Sequence, residues 1–122
     1  MWDPHGRDAA RFALLHDGAE AYIADVSRPL KRTREFAGYR AAEQRLQTVI
    51  YAAFGLCGGD EPPMVKDYDF RLLRTEQAHL MPPPVNGDVR DDVPLFSLKI
   101  RPWRFVEART QFLVRAQRLG LR

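Results

Sequence analysis

Glu35-Phe36-Ala37-Gly38-Tyr39-Arg40-Ala41-Ala42-Glu43-Gln44-Arg45-Leu46-Gln47-Thr48-Val49-Ile50-Tyr51-Ala52-Ala53-Phe54 carries the plainest helical signal in the chain. Phe36, Tyr39, Leu46, Val49, Ile50, Ala53 and Phe54 recur at helical spacing and so gather on one side of a helix. Gly55, with Gly58-Gly59 beyond it, supplies the stop. Upstream, Asp8 to Tyr22 also reads as helix, with Phe12, Ala13 and Leu15 apolar and His16 one turn after Phe12 and Ala13 on the same side. Between the two, Asp25-Val26-Ser27-Arg28-Pro29 reads as loop, because Pro29 disfavours helix at Arg28 and Asp and Ser side chains compete for backbone donors.

Downstream, Pro62-Pro63 opens another helix at a position where a missing N–H costs little, and Val65, Leu72, Leu73 and Leu80 mark its inner face. Pro82-Pro83-Pro84 ends it. Val85 to Ile100 is loop-like around Asn86-Gly87, and Leu95-Phe96-Ser97-Leu98 is too short to assign. Arg104 to Leu119 closes the chain as an amphipathic helix with Phe105, Ala108, Phe112 and Leu119 as its stripe and Arg104, Arg109, Arg115 and Arg118 largely off it. With no repeat and no strand pair, the fold class is all-α.

The 122 residues make one domain, 1–122, with a single modest core. A single cysteine, Cys57, excludes an internal disulfide and a cysteine-based zinc site, fits a reducing cytoplasm, and reads as a small buried hydrophobe. No apolar run is long enough to cross a bilayer, and the polar, acidic start of the chain is unlike a secretory signal. The formal charge of +3 is mild and the arginines are scattered, including around the last helix, so composition gives no reason to expect nucleic acid as a partner. Small phosphate-bearing molecules are compatible with it.

The chemistry-bearing residues cluster early. Glu20 follows Asp17 by about one turn and Asp25 lies just past the helix, so His16, Asp17, Glu20 and Asp25 converge if the turn between them permits. Carboxylates that close repel one another and need a cation, a shared proton or a basic partner. Imidazole nitrogen with carboxylate oxygen suits a divalent metal. Asp69 lies four residues after Val65 and three before Leu72, which puts a carboxylate on the apolar stripe of its own helix. Leaving it unpaired there is costly, and a metal or an ion pair with Arg71, Arg74 or another arginine relieves the cost equally well. Asp67 faces elsewhere as a solvated charge.

The run from Ala13-Leu14-Leu15-His16-Asp17-Gly18-Ala19-Glu20-Ala21-Tyr22 through Asp25-Val26-Ser27-Arg28-Pro29-Leu30-Lys31 resembles the core signature of HD-domain phosphohydrolases, in the branch of bacterial 5′-deoxynucleotidases. Val65-Lys66-Asp67-Tyr68-Asp69, with Leu72-Leu73 and Thr75-Glu76 after it, resembles the later segment in which an aspartate completes that family's metal site. The two segments span residues 13–81. The resemblance implies an HD-type helical bundle holding one divalent ion (Mn, Fe, Co, Zn or Mg) through His16, Asp17, Asp69 and a histidine from an earlier helix. It further implies that Glu20 and Asp25 assist hydrolysis of a phosphomonoester, a nucleoside 5′-monophosphate by branch, and that Lys31 touches the substrate phosphate.

One part of the pattern is missing. Too few residues precede His16 to supply the upstream helix and its histidine. His5, beside Pro4 and Gly6, is expected as a surface residue in a loop, and His79 as structural or solvated. The chain therefore reads as an N-terminally truncated HD domain whose uncovered apolar surface favours a homodimer or another partner. The competing reading is a remnant that binds metal, nucleotide or protein without turnover.

Overall fold

A computed structural model describes residues 4–56, 61–82 and 93–121, and among them there are helices and irregular segments but no strand. The fold is all-α. Helix α1 spans Pro4–Leu15, α2 Arg28–Lys31, α3 Ala37–Ala53, α4 Pro63–Leu80 and α5 Phe105–Arg118, with short 3-10 turns at Gly18–Ala21 and Arg34–Phe36. Cys57, Gly58-Gly59, Pro83-Pro84 and Asn86-Gly87 lie outside the described residues.

The first helix differs from its sequence reading at both ends. It begins at Pro4, because proline fits a first helical position where no donor is needed, and His5 is thus in helix rather than loop. The expectation for the His5 side chain lies outside the described residues. The helix stops at Leu15 instead of running to Tyr22, and His16-Asp17 form the step into the 3-10 turn. Gln47 of α3 makes that step affordable to the backbone: its Nε2 donates to the Leu15 carbonyl at 2.7 Å, and its Oε1 accepts the Ala19 N–H at 3.0 Å. Arg28 and Pro29, expected as loop, instead open a short helix over Arg28–Lys31, since Pro29 sits in its first turn and lacks only a donor that would be unpaired there anyway.

Helices α3 and α5 end alike. After α3, Gly55 takes φ +75° while its N–H donates to Ala52 at 3.0 Å and the Leu56 N–H reaches back to Tyr51 at 2.8 Å. After α5, Gly120 takes φ +70° with Gly120 N–H on Gln117 at 3.0 Å and Leu121 N–H on Ala116 at 2.9 Å. Both are glycine caps in which the apolar residue after the glycine folds back onto the helix. Leu56 and Leu121 each enter the core that way.

That core is Phe12, Leu15, Tyr51, Leu56, Val65 and Leu121, with Leu14, Phe54, Ala116 and Leu119 against it. Phe12 meets Tyr51 edge to face with ring centroids 4.8 Å apart. Several residues expected inside are outside. Tyr51 is buried on α3 while Val49 is 63% exposed and Ala53 is exposed too. On α4, Val65 is buried but Leu72 and Leu80 are exposed, and on α5 Phe105 (81%), Ala108 and Phe112 face outward. The cause on α5 is its attachment: among the described residues it reaches the core at its C-terminal end, through Ala116, Leu119 and Leu121.

Residues 93–100 carry no regular structure and lie along α4. Thr75, fully buried, donates to the Arg71 carbonyl and accepts the Phe96 N–H, while Tyr68 stacks on the Phe96 ring and Arg71 stands over it.

Candidate metal centre

The break after α1 aims His16 and Asp17 toward α4, where Asp69 sits one turn after the buried Val65. His16 Nε2 lies 3.2 Å from Asp17 Oδ2 and 3.3 Å from Asp69 Oδ1, and one ligand atom from each of the three falls within 4.8 Å of the others. The second ring nitrogen, Nδ1, is 2.7 Å from the Ala13 carbonyl, which only accepts, so Nδ1 carries the proton. That leaves Nε2 directed at the carboxylates. Asp69 is half-buried, and Arg71, one of the arginines weighed as its partner, donates instead to the carbonyls of Pro94 and Leu95.

Two of the three donor spacings suit a divalent ion, and the third, between the aspartates, is within 4.8 Å. Donors bound at about 2.0–2.2 Å and at right angles to tetrahedral angles stand roughly 3–3.5 Å apart, which is the spacing between His16 and each aspartate. Without an ion, a protonated His16 offsets one of the two carboxylate charges and leaves the cluster with a net negative charge. The hydrogen bond to Asp17, opposed by burial and reinforced by the Ala13 carbonyl and Asp69, raises His16 to about 9, and the same bond holds Asp17 below its usual range. At neutral pH the imidazole is then a cation between two carboxylates, and a metal bound there would have to displace its proton.

These residues open on a cleft of about 1140 Å³ that Glu20, Arg28, Lys31, Glu43, Gln47, Tyr51, Glu61, Lys66 and Phe70 also line. Glu20 is half-buried, and its carboxyl is pushed up by burial first and by the negative charges of Asp17 and Asp25 next. Asp25 is not among the residues lining the cleft; it is 67% exposed and 3.9 Å from Lys31 Nζ. Lys31 is engaged with Glu43 at 2.8 Å, the bond that raises its pKa most. The loop carrying Asp25 and α2 is pinned to α3, because the Tyr39 hydroxyl donates to the Ala24 carbonyl and Arg40 to those of Lys31 and Thr33. Asp67 is exposed on α4, and exposed His79 hydrogen-bonds the Thr75 carbonyl of its own helix through Nδ1.

Sequence reasoning missed one face of α3. Glu43, Gln47 and Tyr51, spaced by four, line the cleft: Glu43 takes Lys31, Gln47 clamps both sides of the His16-Asp17 step, and Tyr51 donates to Glu61 at 2.6 Å. Burial and the Glu61 carboxylate both raise Tyr51. The signal was present as three polar or half-polar residues in helical register beside the apolar ones.

No family model and no solved structure matches the chain. Over 72 residues it is 38% identical to the uncharacterized protein YfdR of Escherichia coli (strain K12), an alignment covering 56% of this chain and 36% of that protein. The chain thus spans little more than a third of the length of this relative.

Proposed function

We propose that the chain is an HD-domain-like, metal-dependent phosphohydrolase that cleaves a phosphomonoester, a nucleoside 5′-monophosphate in the first instance, in the cytoplasm. The observation that carries this reading is the meeting of Asp69 with His16 and Asp17 from a separate helix, in a ligand set of one imidazole and two carboxylates. His16, Asp17 and Asp69 would hold the ion. A divalent metal there supplies a Lewis acid for phosphoryl oxygen and lowers the pKa of water at the site.

Hydrolysis forms one P–O bond from water and breaks the ester P–O bond, so a proton must leave the water and another must reach the departing oxygen. Glu20, half-buried in the cleft with its carboxyl raised by burial first and by Asp17 and Asp25 next, is the proton carrier. None of the described helices is long and apolar enough to cross a membrane. A homodimer formed over uncovered apolar side chains belongs to the same reading.

The test is release of inorganic phosphate from nucleoside 5′-monophosphates with Mn, Co, Fe, Zn or Mg. Release should depend on the metal and vanish in Asp17→Ala and Asp69→Ala. Release that persists in both rejects the assignment. A second reading, binding without turnover, is favoured by one observation: His16 is already satisfied by its two aspartates, so the cluster stands without an ion. Calorimetry that finds metal and nucleotide bound while no phosphate is released supports it.

A further inference from the structure

The cleft holds three cations beside His16, and they are not equivalent. Lys31, the residue that sequence resemblance makes the phosphate contact, is spoken for: Glu43 takes its ammonium at 2.8 Å and Asp25 stands 3.9 Å away. An ammonium already bonded to one carboxylate and facing another has little field left for a substrate anion. Lys66 and Arg28 have no ion pair among the described residues. Arg28 is exposed, opens α2, and carries its guanidinium over the ring of Phe70, 5.9 Å from the centroid. Phe70 follows the ligand Asp69 directly, so the ring that orients Arg28 is fixed to the same turn of α4 as the candidate metal ligand.

We propose that Arg28, rather than Lys31, takes the anionic phosphoryl group of the substrate. This rests on the phosphohydrolase reading for its biological meaning, but the binding itself is a property of the cleft. A guanidinium presents paired N–H donors that match two oxygens of a phosphate, and it stays charged at any pH the protein experiences. At 5.9 Å from the ring centroid, the guanidinium stands over Phe70 at the outer reach of a cation–π contact, which biases its direction and leaves its N–H donors open to the cleft. The cleft is otherwise rich in carboxylates, with Asp17, Glu20, Glu43, Glu61 and Asp69 all on its wall. A dianion needs an uncommitted cation to enter there; of the two available, Arg28 and Lys66, Arg28 has the paired donors and stands over Phe70, the residue next to Asp69. Lys31 serves instead to hold Glu43 and Asp25 in place.

The experiment is titration of the full chain with inorganic phosphate, followed by NMR, in wild type, Arg28→Ala, Arg28→Lys and Lys31→Gln, with Mn²⁺ binding measured beside it by electron paramagnetic resonance. Arg28→Ala should weaken phosphate roughly tenfold or more, the loss of charge-assisted hydrogen bonds. Arg28→Lys should recover part of that affinity, and Lys31→Gln should stay within about threefold of wild type. Mn²⁺ affinity should be the same in Arg28→Ala as in wild type. Phosphate binding unchanged in Arg28→Ala, or weakened more by Lys31→Gln, overturns the proposal. Failure of wild type to bind Mn²⁺ is a different result: it refutes the metal-centre reading, while the phosphate titration still decides the role of Arg28.

Discussion

His16 Nε2 and Asp69 Oδ1 stand 3.3 Å apart although 53 positions separate them in the chain. The contact joins the end of α1 to the middle of α4, and it gives the imidazole a second carboxylate beside Asp17. Its consequences for pH, metal and stability are open to measurement.

The first concerns the metal-free protein. His16 should titrate near 9 by NMR, well above the free imidazole, because Asp17 and Asp69 favour its charged form. A folded-state pKa raised above the unfolded one contributes stability that is complete below about 6.5 and lost as pH rises through about 9. The melting temperature of the metal-free chain should therefore fall between pH 7 and pH 10, and this fall should be smaller in His16→Gln. An equal fall in both proteins would detach the effect from His16.

Metal affinity should run the opposite way. An ion binds the neutral imidazole, so below the His16 pKa each unit of pH lost should weaken binding by about tenfold, with one proton released per ion. Calorimetry in buffers of different ionisation enthalpy counts that proton. Binding with no proton released at pH 7 would show that the ion bypasses His16.

Gln47 is expected to behave as a positioning residue. Gln47→Met keeps the size but removes the bonds to the Leu15 carbonyl and the Ala19 N–H, on either side of His16-Asp17. With two backbone groups left without partners, the cost should be about 2–3 kcal/mol in urea unfolding, and metal affinity should drop roughly tenfold as the ligand-bearing step loosens. A purely structural role would lower stability and leave the affinity of the folded protein intact.

The glycine caps give a matched pair. Gly55→Ala should cost about 1 kcal/mol for the left-handed backbone alone, since nothing lies within 4 Å of the new Cβ. Gly120→Ala should cost about the same, because the atom its Cβ would meet, Arg7 Nη2 at 3.0 Å, is the far end of an exposed side chain that can shift. Denaturation midpoints check this, and a clearly larger loss at Gly120 would show that Arg7 is held in place.

Helices α3 and α4 were legible because spaced apolar residues and flanking prolines or glycines act locally. Asp69 stood out for a related reason, as a carboxylate in register with Val65. What stayed hidden depended on partners distant in sequence. Tyr51 rather than Val49 faces the core because Phe12 offers it an edge contact. The helix breaks at His16 because Gln47, from another helix, substitutes for the turn that is given up. Lys31 resembled a phosphate ligand in a linear motif, and only folding brings Glu43 against it. The stripe of α5 has the period of a buried face, yet Phe105 and Phe112 have no described neighbour to cover them, and periodicity does not say whether a face finds one.

Direct titration of the chain with Mn²⁺ or Zn²⁺, comparing wild type with Asp69→Ala, bears on the metal centre most immediately. One ion per wild-type chain is expected, with affinity reduced about a hundredfold or more in Asp69→Ala, in keeping with loss of a ligand from a three-residue set. Binding of equal strength in the two proteins, or none in wild type, would mean that His16, Asp17 and Asp69 form a self-contained ion-pair cluster and not a metal site.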